Sequence, residues 1–278
     1  MKFSSPPKHC VVTGGSGFVG QRLCEMLIER GAEKVVSFDI VPMPNDSPLL
    51  NGEGKKKRRR REEKEFFFFL FVCFFFFFFS FALSFSFHMF FFADKRFVFI
   101  LGDIRDAAGV KNALRGAECV WHNCAAVGPY HPQKLYHEVN YQGTVNVINA
   151  CRELGIKKIV MSSSPSTRFT GADVDGLTEA QLPSIPQKSY VQEYAASKAL
   201  GEKALTDACD GKNLFTVAVA PHQVYGPRDN LFLPNILEAA GTDRIRIFGH
   251  GRNKICFTHV DNYAHGLIIA EKALYPGR

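Results

Sequence analysis

The chain has 278 residues, enough for one large domain or two smaller ones with an ample core. Its net charge of +7 is local: seven cations stand in one run, Lys55 to Arg61, and without them the 34 Lys and Arg fall to 27, equal to the 27 Asp and Glu. So the charge makes no case for a nucleic-acid-binding face. The eight cysteines, at 10, 24, 73, 119, 124, 151, 209 and 256, form no CxxC pair. They read as buried thiols of a reducing compartment, not as a disulfide framework or a metal site.

The first strand is expected within ten residues of the N-terminus, which leaves no place for a signal peptide. Apolar residues lead into VVTGGSGFVG at 11–20, and QRLCEMLIER follows with Val19, Leu23, Met26 and Leu27 on one helical stripe. This predicts strand, tight glycine turn, helix. Gly14 allows the turn, Gly17 lets a pyrophosphate approach the backbone, and Gly20 lets the helix pack closely on the strand. The free N–H groups of the helix start would face the phosphates. A glycine pattern alone is weak, but KVVSFDI is a second strand that ends in Asp39, about twenty residues on, where an acidic residue would hold ribose hydroxyls.

After a Pro- and Gly-rich loop come a charge run at 55–65 and a phenylalanine-dominated run at 66–92 with neither helical nor strand period. Residues 52–93 are therefore expected to contribute nothing to fold or catalysis. A single membrane span would put the strands on either side of it on opposite faces of a bilayer, and a hairpin of two spans needs more residues. Purine-rich Lys, Arg and Glu codons followed by pyrimidine-rich Phe codons read like a translated intron.

Order resumes with a third strand, FVFILGD, that ends in Asp103, with Asp106 as cap of a helix that stops at Gly116. ECVWHNCAAVG is a fourth strand entering a small-residue loop at Ala125 and Ala126. YHEVNYQGTVNVINACREL is a long helix ended by Gly155, and KKIVMSSS is the fifth strand. Alternating strands and helices predict an α/β fold, a Rossmann-type doubly wound parallel sheet.

The fifth strand ends in Ser162, Ser163 and Ser164, and the helix VQEYAASKALGEKAL places Tyr194 and Lys198 four apart on one face. A phenol with a pKa of about 10 is a poor base at neutral pH. An ammonium one turn away favours the phenolate, and a serine hydroxyl can hold the substrate oxygen. This gives Tyr194 as general base, Lys198 as activator and ribose ligand, and Ser164 as orienter, with Ser163 as the alternative. His122, His131, His222, His250 and His259 show no partnered Ser/Asp pattern for a nucleophilic triad. Next come a sixth strand, turns at Pro221 and at Gly226–Pro227, then a strand pair and a helix within residues 244–274.

The GxxGxxG spacing, Asp39 and the serine, tyrosine and lysine set resemble the extended branch of the short-chain dehydrogenase/reductase superfamily. PHQVYGPRDN and GHGRNKICFTHVDNYAHG are most similar to the 3β-hydroxysteroid dehydrogenase family, and within it to the decarboxylating dehydrogenases of 4α-carboxysterols. The resemblance covers residues 9–41 and 97–275 and fails in 52–93. It implies NAD as cofactor, bound by Gly14, Gly17, Phe18, Val19, Gly20, Asp39, Asp103 and Ile104 beside the adenine, Ala125, Ala126, Tyr194, Lys198 and Pro221, and no metal. The family usually carries an arginine before that proline, where this chain has Ala220. The last of the three serines, Ser164, matches the family's catalytic serine. The implied domains are residues 1–219 for the dinucleotide and 220–278 for part of a substrate region, shorter than the family's. The implied reaction is oxidation of a sterol 3β-hydroxyl, with loss of carbon dioxide from the 3-keto product. The implied setting is the endoplasmic-reticulum membrane or its cytoplasmic face, or else the cytoplasm, through the substrate or an anchor beyond Arg278, as a homodimer. Two other readings use the same motifs: a nucleotide-sugar epimerase or dehydratase, and a non-catalytic dinucleotide-binding protein. The presence of both Tyr194 and Lys198 argues against the second.

Overall fold

The computed structural model describes residues 5–51, 94–128, 131–172, 174–247, 249–252 and 254–275. Six strands, β1 (His9–Thr13), β2 (Lys34–Asp39), β3 (Phe97–Leu101), β4 (Cys119–His122), β5 (Lys158–Ser162) and β6 (Phe215–Val219), form one sheet in the order β3-β2-β1-β4-β5-β6. Every pairing is parallel. The helices are α1 (Phe18–Glu29), the single turn α2 (Pro48–Asn51), α3 (Ala107–Ala113), α4 (Gln133–Tyr136, running through His137–Gln142 into Gly143–Leu154), α5 (Glu193–Ala208), α6 (Leu233–Gly241) and α7 (Val260–Lys272).

The strands are apolar at successive positions because both faces are covered. Val11, Val36, Val120 and Ile159 pack with Val110, Leu114, Val147, Ile148 and Leu205 from α3, α4 and α5. Their neighbours Val12, Val35, Trp121 and Val160 pack on the other face with Leu23, Leu27, Leu267 and Ile268 from α1 and α7. Each fully buried Leu or Ile contributes about 1.5–3 kcal/mol. The predicted doubly wound sheet is therefore observed. Asp106 caps α3 by accepting from Ala108 N at 3.0 Å, and Gly155 ends α4 at φ 69°.

Three features differ from the sequence expectation. The helix predicted from Tyr136 starts at Gln133 and contains a π-helical turn, His137–Gln142. Inside that turn the Asn140 carbonyl accepts from Thr144 Oγ1 at 2.7 Å, and a Cβ on Gly201 of α5 would stand 2.4 Å from the same oxygen. The predicted strand pair in 244–259 is one strand, β8 (Phe257–His259), which pairs in parallel with β7 (Gln223–Tyr225). Residues 244–247 form no strand, and Ile245 and Ile247 are exposed rather than laid on a sheet. Finally α7, though it follows residue 219, covers the main sheet: Trp121 Nε1 donates to the Leu267 carbonyl at 3.0 Å and Lys158 pairs with Glu271 at 2.6 Å.

The expectation for 52–93 lies outside the described residues. Among the described residues no helix is long and apolar enough to cross a membrane, and no cluster of His, Cys, Asp or Glu could hold a metal ion.

A candidate dinucleotide and active site

The sequence-chosen positions converge because each of six parallel strands ends at the same edge. The glycine turn follows β1, Asp39 ends β2, Asp103 and Ile104 follow β3, Ala125 and Ala126 follow β4, Ser164 follows β5 and Pro221 follows β6. Ligands bind such sheets at this edge, where the strand order reverses between β1 and β4.

The turn is built from close approaches. Gly14 has φ 71°, and a Cβ there would meet Cys124 Cα at 2.8 Å. A Cβ on Gly20 would stand 2.0 Å from the Gly14 carbonyl oxygen, so at this position α1 closes onto the turn itself. Gly17 is different. It is exposed at an ordinary φ of −73°, and its Cβ would touch only the Gly14 oxygen at 3.4 Å. Nothing inside the chain requires a glycine there, and a side chain would fill the space above the helix start. Gly17 caps α1 with no side-chain hydrogen bond, and Phe18 and Val19 form the first turn. The buried Ser16 hydroxyl has no hydrogen-bond partner, while Ser16 N donates to Asp39 Oδ2 at 3.0 Å. An open helix start, an unpaired hydroxyl and a carboxylate tied to the turn fit the pyrophosphate and ribose of a dinucleotide.

Asp103 holds Arg105, whose Nη2 donates to it at 2.6 Å, and this pairing lowers the carboxyl's pKa. Ile104 is buried, and its carbonyl accepts from Asn146 Nδ2 at 3.0 Å. Ala125 and Ala126 are half-buried. Ala126 is pinned by Asn140, which accepts from its N–H at 2.8 Å and donates to its carbonyl at 3.1 Å. Asn140 Nδ2 also donates to Ser197 Oγ at 3.0 Å. The sequence reading missed Asn140. Its only local signal is a polar residue at a position where α4 is otherwise buried. Pro221 is half-buried between β6 and β7.

Under the turn, His122 bridges two hydroxyls, Thr13 Oγ1 at 2.8 Å and Thr144 Oγ1 at 2.9 Å. Burial pushes its pKa down to about 3. An unfolded chain protonates this histidine near pH 6.5 and the folded chain does not, so stability falls as pH drops from about 6.5 towards 3, by up to about 1.4 kcal/mol per pH unit. His122→Gln should flatten that slope by close to one proton. Urea unfolding of both chains at pH 7 and 4.5 checks this, and equal losses would refute it.

At the other half of the site, Tyr194 is half-buried, its ring edge-on to Tyr136 at 6.2 Å, and Ser164 stands beside its hydroxyl. Ser163 instead donates to Glu202. Lys198 is buried and donates from Nζ to the Ser162 carbonyl at 2.6 Å. Burial lowers the lysine to about 8 and raises the phenol above its usual value, while the neighbouring Ser164 opposes the second shift. Lys198 does not lower the phenol here: its Nζ is engaged at Ser162 and desolvation dominates at Tyr194.

Comparisons with known proteins place these features in a family. The model of the 3-beta hydroxysteroid dehydrogenase/isomerase family matches residues 11–57 and 88–277, breaking off inside the low-complexity stretch. The mouse sterol-4-alpha-carboxylate 3-dehydrogenase, decarboxylating, is 33% identical over 273 residues, a match that covers 97% of this chain and 61% of the mouse protein. The 2-alkyl-3-oxoalkanoate reductase of Stenotrophomonas maltophilia is 32% identical over 96% of this chain and 66% of its own length. Among solved structures, the Bacillus cereus UDP-glucuronic acid 4-epimerase in complex with NAD superposes with a TM-score of 0.67 at 22% identity, over 95% of this chain and 74% of that one, a likeness of fold. With its glycine turn, Asp39 and the Ser164, Tyr194 and Lys198 cluster on that fold, the chain belongs to the 3-beta hydroxysteroid dehydrogenase/isomerase family.

Proposed function

We propose that the chain is an NAD-dependent dehydrogenase that oxidises the 3β-hydroxyl of a sterol carrying a 4α-carboxylate. The observation that carries this is the gathering of Ser164, Tyr194 and buried Lys198 at the sheet edge that also holds Asp39 and the open glycine turn. Ser164 orients the substrate hydroxyl, Tyr194 removes its proton, and Lys198 holds the nicotinamide ribose and balances the phenolate. NAD, when bound, accepts the hydride from C3. The product is a β-keto acid, which loses carbon dioxide because the ketone stabilises the enolate left behind, so no residue is assigned to that step.

The names of the mouse and Stenotrophomonas relatives share one substrate motif, a carboxylate one carbon away from the carbon that bears the oxygen. This supports a carboxylated substrate over a sugar nucleotide. A homodimer and a position at the endoplasmic-reticulum membrane face belong to the same proposal.

The test is to supply NAD with a 4α-carboxysterol, its 4α-methyl analogue and a UDP-sugar, and to follow NADH and carbon dioxide. Both should appear with the carboxysterol alone. Turnover of the UDP-sugar in its place would overturn the proposal. Asp39 accepts ribose hydroxyls and repels a 2′-phosphate, so NAD should be preferred to NADP. Asp39→Ala should narrow that preference about 10- to 100-fold, the value of hydrogen bonds to a charged group. An unchanged ratio of kcat/KM for the two cofactors would remove Asp39 from the site.

A further inference from the structure

Strand β5 delivers three serines to the site, and their hydroxyls go three ways. Ser162 Oγ donates to Asn123 Oδ1 at 2.6 Å. Ser163 Oγ donates to Glu202 Oε2. Ser164 Oγ lies 2.8 Å from Ser166 Oγ, on the side of Tyr194.

Glu202 sits one helical turn beyond Lys198, so Tyr194, Lys198 and Glu202 run along one face of α5. It is 4% exposed. Besides Ser163, its carboxylate accepts from Thr167 Oγ1 at 3.3 Å and pairs with Arg168 Nη2 at 2.6 Å. Arg168 Nη1 donates to the same threonine hydroxyl at 3.0 Å. One buried carboxylate therefore grips the chain on both sides of Ser164. A carboxylate persists at such depth only when paired, and Arg168 supplies the countercharge.

We infer that Glu202 is a positioning residue: by binding Ser163, Thr167 and Arg168 it fixes the register in which Ser164, and not Ser163, meets Tyr194. The inference rests on the dehydrogenase reading for the roles of Ser164 and Tyr194. The partners of the Glu202 carboxylate are Ser163, Thr167 and Arg168, not Tyr194. It acts through the loop.

A double-mutant cycle in the full chain tests this, with Ser164→Ala, Glu202→Leu, Glu202→Gln and the two doubles. Ser164→Ala and Glu202→Leu should each lower kcat about 100-fold, the lower end of what a positioned proton-transfer group contributes. The Ser164→Ala/Glu202→Leu double should be no worse than either single. Glu202→Gln keeps an acceptor and a donor in place and should lose no more than about tenfold, again only where Ser164 is present. A residue that merely supports the fold would lower kcat equally in both serine backgrounds, and additive losses would overturn the inference. Should the leucine variant fail to fold, the glutamine pair carries the same comparison. Crystals of the variants give a readout without activity. Ser164 Oγ should move away from the Tyr194 hydroxyl in Glu202→Leu and keep its place in Glu202→Gln. A folded leucine variant with Ser164 unmoved would also overturn the inference. If the parent chain proves inactive while the serine moves as expected, the dehydrogenase reading fails and the positioning role stands.

Discussion

Tyr194→Phe is expected to keep dinucleotide binding and to lose about 10²–10⁴-fold of turnover, the contribution of a positioned general base. The substitution removes one oxygen. The ring keeps its edge contact with Tyr136, and α5 keeps its buried residues Ala195, Ser197, Lys198 and Ala199. What disappears is the proton acceptor beside Ser164. Burial holds the phenol above its usual pKa in the free chain, so oxidation should rise with pH through the neutral range as the phenolate fraction grows. Lys198→Met should behave differently. It removes the cation that would balance the phenolate and hold the ribose, so turnover and dinucleotide affinity should fall together. Stopped-flow turnover alongside NADH fluorescence titration separates the two variants. Near-normal rates on the sterol with Tyr194→Phe would discard the mechanism.

The parts of this site that the sequence displayed are those encoded within one element or one turn. The glycine turn and α1 follow from spacing, and Tyr194 and Lys198 from helical period. The long-range pairings were not legible. Asn140 fastens the Ala125–Ala126 loop and α5 from inside a π-helical turn, and nothing in its neighbourhood announces either partner. Glu202 reads as an ordinary helix residue until Ser163, Thr167 and Arg168 fold onto it. The choice between Ser163 and Ser164 rests on resemblance, and the bond from Ser163 to that same carboxylate has no local signature either. The region after β6 was the least legible. Arg228 adopts φ 72° and places its guanidinium on Glu25 at 2.7 and 2.9 Å, while Arg22 reaches Asp261 at 2.5 Å. These contacts tie α1 to segments more than 200 residues away in sequence, with |i−j| of 203 and 239, which no local pattern contains.

Replacing residues 52–93 by a linker of about four residues is expected to leave a folded chain that binds a dinucleotide and is more soluble than the parent. The argument begins with the sheet. Strands β2 and β3 are parallel neighbours, with Val35 opposite Phe97 and Asp39 opposite Leu101, so the chain must travel back along the sheet between them. Residues 41–50 already make that return. Met43 and Leu49 are buried in the core with Cys24, Ile28 and Phe97. Asp94 N then donates to the Leu49 carbonyl at 3.3 Å, and Phe97 N donates to the Asp94 carbonyl at 2.9 Å as β3 begins. The replaced segment thus leaves and rejoins the fold at one point, within reach of a linker at about 3.5 Å per residue. Shortening the connection about tenfold lowers its closure entropy by about 2 kcal/mol. It also removes a long phenylalanine-rich run, a composition that drives association wherever it meets solvent. Sedimentation and NADH titration of both chains read the outcome. Loss of folding or of NADH binding in the shortened chain, with the parent competent, would show that 52–93 belongs to the structure.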